Sequence, residues 1–355
     1  MVTFSLCLIV KNEELVLKNC LESYKDAFDE IVIVDTGSSD NTKQIAMQYT
    51  DKIYDFTWIN DFSAARNFAF SKCNCDYIFS ADADEVLTLD NLNDLLKLKA
   101  VLMPEVEIVT FLYVNDSKVN MAYNFKTERR AKLFKRIRQF RWMSPIHETI
   151  RLTPIIFDSD IKISHRPITN HAKRDFEIYY KSLNCGTTFL DYVVRMFTKE
   201  LFISGDKQDF LKAKPYMEKM LSINKYKDDT LKNIYVTLIR CNRLEENLEE
   251  FFRYVSLELA NNPCAETCME LGYHYEDNED YKQAILWFIN AATETYSLID
   301  IHSSKDAPRL ELAKCYRNLA NNCTDDDEEL RHNLLSLANL YQAEAENMEF
   351  PEVDD

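Results

Sequence analysis

Two uninterrupted apolar runs, Phe4–Val10 (FSLCLIV) and Ile31–Val34 (IVIV), constrain this chain most, because neither alternates with polar residues. A strand with one face in water alternates, so a run without alternation belongs to a strand covered on both faces. Each run leads into a polar cluster and then a helix-like stretch: Lys11-Asn12-Glu13-Glu14 after the first, Asp35-Thr36-Gly37-Ser38-Ser39-Asp40 after the second. Lys52–Tyr54 reads as a weaker strand, Ala64–Ser71 as a helix, and Tyr77–Ser80 as a further apolar strand running into Asp82-Ala83-Asp84-Glu85. Buried strands alternating with helices predict an α/β domain with a mostly parallel sheet, and ligands bind such sheets outside the carboxyl ends of the strands. The charged clusters fall at those ends.

Only four glycines serve 355 residues, at positions 37, 186, 205 and 272, where ordinary usage gives roughly 25. Neither GxxxxGK[ST] nor GxGxxG can be written with them, which excludes a Gly-rich phosphate cradle. A net charge of −17 argues against a nucleic-acid partner and against an anionic membrane surface. No apolar run reaches the ~18 residues of a membrane span. The first strand-like run opens at Phe4, which leaves no signal peptide to expect, and the ten cysteines include no CxxC pair. They read as small buried hydrophobes in a reducing, cytoplasmic setting. Cys73-Asn74-Cys75 and Cys264-x3-Cys268 are close enough to share a metal, but no second half completes a zinc site.

The grammar changes near residue 170. Residues 1–165 carry 20 basic and 24 acidic side chains, and the remainder 22 and 35. Beyond His171 strand signals almost vanish. Leu271, Gly272, Tyr275, Ala284, Phe288 and Ala291 fall at the small and aromatic positions of a 34-residue helix-turn-helix repeat, with Cys268 where Trp is usual and Tyr296 where Pro closes the unit. Leu201–Met220 and Leu312–Ala345 have the lengths of further helix pairs. A stack is expected, because one repeat cannot bury its apolar face alone; an irregular helical bundle is the competing reading. The boundaries expected are 1–170 for the α/β domain, 171–190 for a linker helix with a junction near Gly186, 191–348 for the TPR-like repeats, and 349–355 for an acidic tail.

Asp82 and Asp84 stand two residues apart after an apolar strand, so in an extended segment they project the same way. Hard divalent cations take carboxylate oxygens together with substrate phosphates, which suits such a pair to a diphosphate-bearing ligand. Alone the tripeptide is equally a solvated loop or a helix cap.

In order and spacing, SLCLIVKNEE, IVIVDTGSSDNT, FSAARN and DYIFSADADE resemble the amino-terminal half of family 2 glycosyltransferases, densely over residues 3–90 and more loosely to about 185. The resemblance implies a GT-A fold, inverting transfer of a sugar from a nucleotide-sugar, commonly a UDP-sugar, and Mn2+ or Mg2+ as cofactor. Coupling to helical repeats is similar to bacterial members that modify peptides, proteins or cell-surface glycans.

By position, the resemblance assigns Lys11, Asn12 and Glu13 to the nucleoside pocket and Asp35 to the base, with a turn-forming Asp as the alternative. Ser39 or Asp40 is expected to cap the next helix. Arg66 would face the nucleotide, unless it is only a surface arginine. Asp82 would contact ribose and metal, Asp84 would ligate the metal, and Glu85 would orient the loop. Arg129–Arg141 packs seven Lys or Arg into thirteen residues, either a cationic hairpin face or a collar drawing in the anionic donor. Its AKLFKR segment resembles the family's RLFR-like stretch.

Ser144-Pro-Ile-His147-Glu148 then matches a G-x-[IV]-H-E motif, with Ser144 in place of Gly. Glu148 is the expected base, with His147 positioning it or acting itself; the alternative is a structural pair that fixes the loop. His165 matches an imidazole offered beside the diphosphate as a metal ligand, and a structural His is its alternative. His171, Lys173 and Arg174 either touch phosphate or start the linker.

The expected function is therefore a metal-assisted inverting glycosyltransferase. An inactive transferase-like scaffold of helical repeats is the alternative. A sugar nucleotidyltransferase is disfavoured, because KNEE stands where its Gly-rich loop belongs. Helical-repeat grooves bind extended peptides or pack protomers together, so a peptide, protein or glycan acceptor is expected, and a homo-oligomer through the repeats is compatible.

Overall fold

The computed structural model describes residues 1–115, 127–150, 154–168, 172–223, 225–260, 262–324, 327–350 and 353–354. They divide into two compact units, Met1–Ser182 with Pro351–Asp355, and Leu183–Phe350.

In the first unit, strands and helices alternate through the first hundred residues. β1 (Phe4–Val10), α1 (Leu17–Tyr24), β2 (Glu30–Asp35), α2 (Thr42–Ala46) and β3 (Ile53–Asp55) are followed by α3 (Phe62–Phe70), β4 (Tyr77–Ala81), β5 (Glu85–Val86) and α4 (Leu89–Val101). After them come β6 (Ile108–Asn115), β7 (Thr127–Lys135), a hairpin of β8 (Trp142–Met143) and β9 (Thr149–Ile150), β10 (Ile156–His165) and α5 (Ala172–Asn184). The main sheet runs β3-β2-β1-β4-β7-β6-β10-β5, and Val353–Asp354 pairs beside Thr127–Glu128 of β7.

The β3-β2-β1-β4 half is parallel, as the unalternating runs require. β7 enters antiparallel between β4 and β6, and β5 pairs antiparallel with the end of β10. One face of β1 and β4 (Phe4, Leu6, Leu8, Tyr77, Phe79) packs under α1 and α4. The other face (Cys7, Val32, Val34, Ile78) packs under α3. α3 begins where it does because Asp61 caps it, accepting from Ala64 N–H at 3.0 Å.

At the amino end of β2, buried Glu30 accepts from Ser5 Oγ, from Asn74 N–H (2.8 Å) and Nδ2 (2.9 Å), and from Lys52 Nζ (2.6 Å). Burial works to raise its pKa, but Lys52, Ser5 and Asn74 prevail and hold it at about 2.

The second unit is helical: α6 (Asp191–Ser204), α7 (Lys207–Ser222), α8 (Asp228–Leu244), α9 (Leu248–Leu259), α10 (Ala265–Asp277), α11 (Tyr281–Thr293), α12 (Asp306–Asn321) and α13 (Glu328–Glu346). α10 and α11 form the TPR-like pair. Gly272 is needed there because a Cβ would stand 2.3 Å from Cε1 of the buried Phe288 ring. Cys268, in the usual Trp position, is buried in the same cluster with Ala284, Phe288 and Ala291. Arg240 and Arg243 of α8 meet the fully buried Glu270 of α10 at 2.5 and 2.7 Å, which ties this pair to its neighbour. No described helix is long and apolar enough to cross a membrane.

Candidate functional site

The carboxyl ends of β1, β2 and β4 carry the clusters singled out above. The loops after β1 and β2 are stitched together: Asn12 N–H donates to Ser38 Oγ (2.9 Å), Asn12 Oδ1 accepts from Ser39 N–H (2.8 Å), and Glu13 N–H donates to Thr42 Oγ1 (2.7 Å). Asn12 takes the left-handed backbone, φ +57°, that this crossing needs. Of the two capping candidates, it is Asp40 that reaches the start of α2, accepting from Thr42 N–H at 3.0 Å, while Ser39 serves Asn12. Lys11 is exposed at the rim.

Asp35 ends β2 with its side chain fully buried. Its Oδ1 accepts from Gly37 and Ser38 N–H, both at 2.9 Å, so it does form the turn. Its Oδ2 is buried with no hydrogen-bond partner. A buried carboxylate oxygen without a donor is costly, and this one stands at the carboxyl end of a parallel strand.

Asp82 and Asp84 follow β4 but face different partners. Asp82 lies 3.4 Å from Lys132 Nζ and 3.8 Å from an Arg66 nitrogen. Burial would raise its pKa, yet these two cations hold it well below the usual carboxylate range. Asp84 instead lies 3.2 Å from His165 Nε2. His165 gets there because β10 ends by pairing antiparallel with β5, His165 opposite Glu85. Glu85 is fully buried against Lys132, and its Oε2 accepts from Asp82 N–H at 3.2 Å. Burial, countered by Lys132 and reinforced by Asp82, pushes its carboxyl up to about 7. Burial and the Asp84 charge do the same to Glu13, also about 7, with Arg174 opposing.

Arg66, on α3, reaches the acceptor-side loop rather than solvent. It contacts Glu148 Oε1 through Nε (2.7 Å) and Nη2 (2.5 Å), donates to Ser80 Oγ, and lies 5.0 Å over the Trp142 ring. Its neighbour Asn67 grips the Trp142 backbone both ways, N–H to Oδ1 and Nδ2 to C=O, each at 2.9 Å. Phe62 N–H donates to Pro145 C=O at 2.9 Å. Held from both sides, Ser144 keeps the positive φ (+80°) that a glycine would take at its motif position, and His147 follows at +47°. His147 is exposed, with its ring 6.0 Å from that of Tyr179.

Arg66, Asp82, Arg130, Lys132, His147 and Glu148 line one cavity of about 360 Å3. The basic run is therefore divided. Arg130 and Lys132 project into this cavity from β7, whereas Lys135 lies opposite Tyr77 at the other end of β4. Sequence reasoning counted Lys132 within a cationic stretch and missed that it is the buried counter-ion of Asp82 and Glu85. Period-two spacing could not have found it, because the register of β7 against β6 shifts between Leu133 and Ala131 and breaks the alternation at Lys132.

Among the described residues no three His, Cys, Asp or Glu side chains converge as a metal cage. The nearest arrangement is the Asp84–His165 pair. A carboxylate and an imidazole suit a divalent ion whose remaining positions go to phosphate oxygens and water. The donor set therefore fits an ion brought together with a diphosphate, and not one held by protein alone. Lys173 and Arg174 open α5, with Arg174 contributing to the field at Glu13. His171 lies outside the described residues.

Residues 5–162 match the family described as Glycosyl transferase family 2. A TPR repeat-containing protein of Synechococcus elongatus is 36% identical over 150 residues, 42% of this chain and 36% of that protein. Glycosyltransferase SunS of Bacillus phage SPbeta is 27% identical over 236 residues, 63% of this chain and 54% of that protein. The matched segments thus span about half or less of these relatives. The crystal structure of glucosyl-3-phosphoglycerate synthase from Mycobacterium tuberculosis with Mn2+ and UDP-Glc is 13% identical, with a TM-score of 0.37 over 53% of this chain and 80% of that one.

Proposed function

The chain carries a family 2 glycosyltransferase domain over residues 5–162, and from that premise we propose that it moves a sugar from a nucleotide-sugar, a UDP-sugar, to a peptide, protein or glycan acceptor with inversion. The observation that carries the donor assignment is the buried, unpartnered Oδ2 of Asp35, an acceptor for the N3–H of uracil. Asn12 and Glu13 border the nucleoside, with Lys11 at the rim. Arg66, Arg130 and Lys132 offset the charge of the departing diphosphate from fixed positions.

Asp84 and His165, with Asp82 beside them, would hold Mn2+ or Mg2+ against the diphosphate. When bound, the ion supplies Lewis-acid stabilisation of the leaving group. Glu148 takes the proton of the acceptor as it attacks opposite the diphosphate. Arg66 grips it by Oε1 only, and Oε2 has no partner among the described residues, which leaves one oxygen for the acceptor. His147, in the same cavity, positions the acceptor. The helical repeats dock a peptide or protein acceptor.

Calorimetric titration of UDP, with and without Mn2+, on the wild type and on Asp84→Ala tests this reading. Binding that requires metal and disappears in the variant is expected. Failure of UDP, GDP and dTDP alike to bind would transfer the case to an inactive scaffold.

A further inference from the structure

On the α3 face of the sheet, two cavities follow one another along β4 and β7. The site cavity takes Ser80, Asp82 and Lys132 at the carboxyl end of β4. The second, about 720 Å3, lies beside Ile78 and Lys135 toward the amino end of the same strand. Phe134 belongs to both walls, and the Phe134–Trp142 ring contact (5.1 Å between centroids) stands between them. Apart from that shared wall, no residue assigned above to donor, metal or base lines this second space.

Its chemistry is of two kinds. Phe70, Phe134 and Phe140 form an aromatic floor, with centroids 5.7 and 6.0 Å apart along the row. Lys135, Arg136 and Arg141 form a cationic rim, and no acidic side chain lines the cavity. The cations are differently engaged. Arg138, in the same turn, is drawn off to Glu107 at 2.8 Å and takes no part in the wall. Lys135 donates to the Pro104 carbonyl, and Arg136 uses only its Nε, on the Cys75 carbonyl at 2.6 Å. The Arg141 side chain has no partner among the described residues. In a chain of net charge −17, an acid-free cationic rim over an aromatic floor runs against the general trend of the sequence.

A purely apolar ligand would use the floor and leave the guanidinium groups to water, and a bare inorganic anion would do the reverse. The volume falls within the range of small-molecule sites, roughly 300–1,000 Å3. We propose that this cavity is a second ligand site that takes a small aromatic anion, with its ring against Phe70 and Phe140 and its phosphate or carboxylate on Arg136 and Arg141. Arginine suits that end of the ligand because its planar donors match a phosphate or carboxylate two bonds at a time.

The test uses the full-length protein and phenyl phosphate as probe, titrated by saturation-transfer NMR. Inorganic phosphate and benzyl alcohol serve as the two half-ligands, and excess UDP with EDTA is the competition arm. Saturable binding of phenyl phosphate, at least about tenfold tighter than either half-ligand, is expected. It should persist under UDP and in Asp84→Ala, and weaken about tenfold or more in the double variant Arg136→Ser/Arg141→Ser. Both substituted residues are exposed, and the one described hydrogen bond that the variant removes is that of Arg136 Nε to the Cys75 carbonyl. Absence of saturable binding, binding unchanged in the double variant, or displacement by UDP each overturns the proposal.

Discussion

Arg66 donates through two nitrogens to a single oxygen of Glu148, Oε1, at 2.7 and 2.5 Å, joining α3 to a loop 82 residues later. The carboxylate is thereby aimed without being consumed. Glu148→Gln keeps a carbonyl for Arg66 but cannot take a proton. Its kcat should fall about 10²–10⁴-fold, the span of general-base effects, with the donor KM nearly unchanged. Rates of UDP release read this. A raised donor KM with kcat intact would instead make Glu148 an anchor for Arg66 alone.

Asp35→Asn replaces one carboxylate oxygen with an amide donor while keeping an acceptor for Gly37 and Ser38. If Oδ2 serves uracil N3–H, UDP affinity should drop about tenfold or more, and CDP, whose N3 is an acceptor, should lose less. Equal losses for both nucleotides in calorimetry would remove Asp35 from base recognition.

Lys132 is buried between Asp82 and Glu85, so Lys132→Met strands a buried carboxylate. A stability loss of about 3–5 kcal/mol is expected by denaturant unfolding, much of it recovered in Lys132→Met/Glu85→Gln. A double variant no more stable than the single one would show that Glu85 is not the group Lys132 offsets.

The parts of the site that could be read from the chain were local. The unalternating runs located β1, β2 and β4, and so the edge where Asn12, Asp35 and Asp82 gather. The repeat spacing located Gly272 against Phe288. Partnerships across long sequence separations were not readable. Nothing near residue 132 says that β7 enters the sheet antiparallel, yet only that direction brings Lys132 under Asp82. Nor does Ser144 announce a positive φ; Asn67 and Phe62, remote in sequence, hold its loop there.

Glu30 makes the first unit sensitive to acid. Its pKa is lowered in the folded chain to about 2, so its contribution is complete above its unfolded value and is lost as pH falls toward 2. The stability–pH slope between about pH 4.5 and 2 should flatten in Glu30→Gln. Thermal unfolding across that window measures it, and an unaltered slope would place the sensitivity elsewhere.

Gly272→Ala gains helix propensity of about 1 kcal/mol but drives a methyl into the buried Phe288 ring, at a cost of about 1–3 kcal/mol. A net destabilisation of the helical unit is expected by calorimetry. Gly272→Ala/Phe288→Leu should relieve it, and a stabilised single variant would show that the ring yields freely.

The pairing of His165 with Glu85 closes a circuit that runs through α4, β6, β7 and β10 and returns to the edge where it began. Asp84 and His165, 81 residues apart in the chain, meet only once that circuit has shut. On a ribosome, then, a nascent chain could already have β1, β2 and β4 in place and still lack the Asp84–His165 pair. That pair would form late in folding, when Ser164 and His165 at the end of β10 pair with β5.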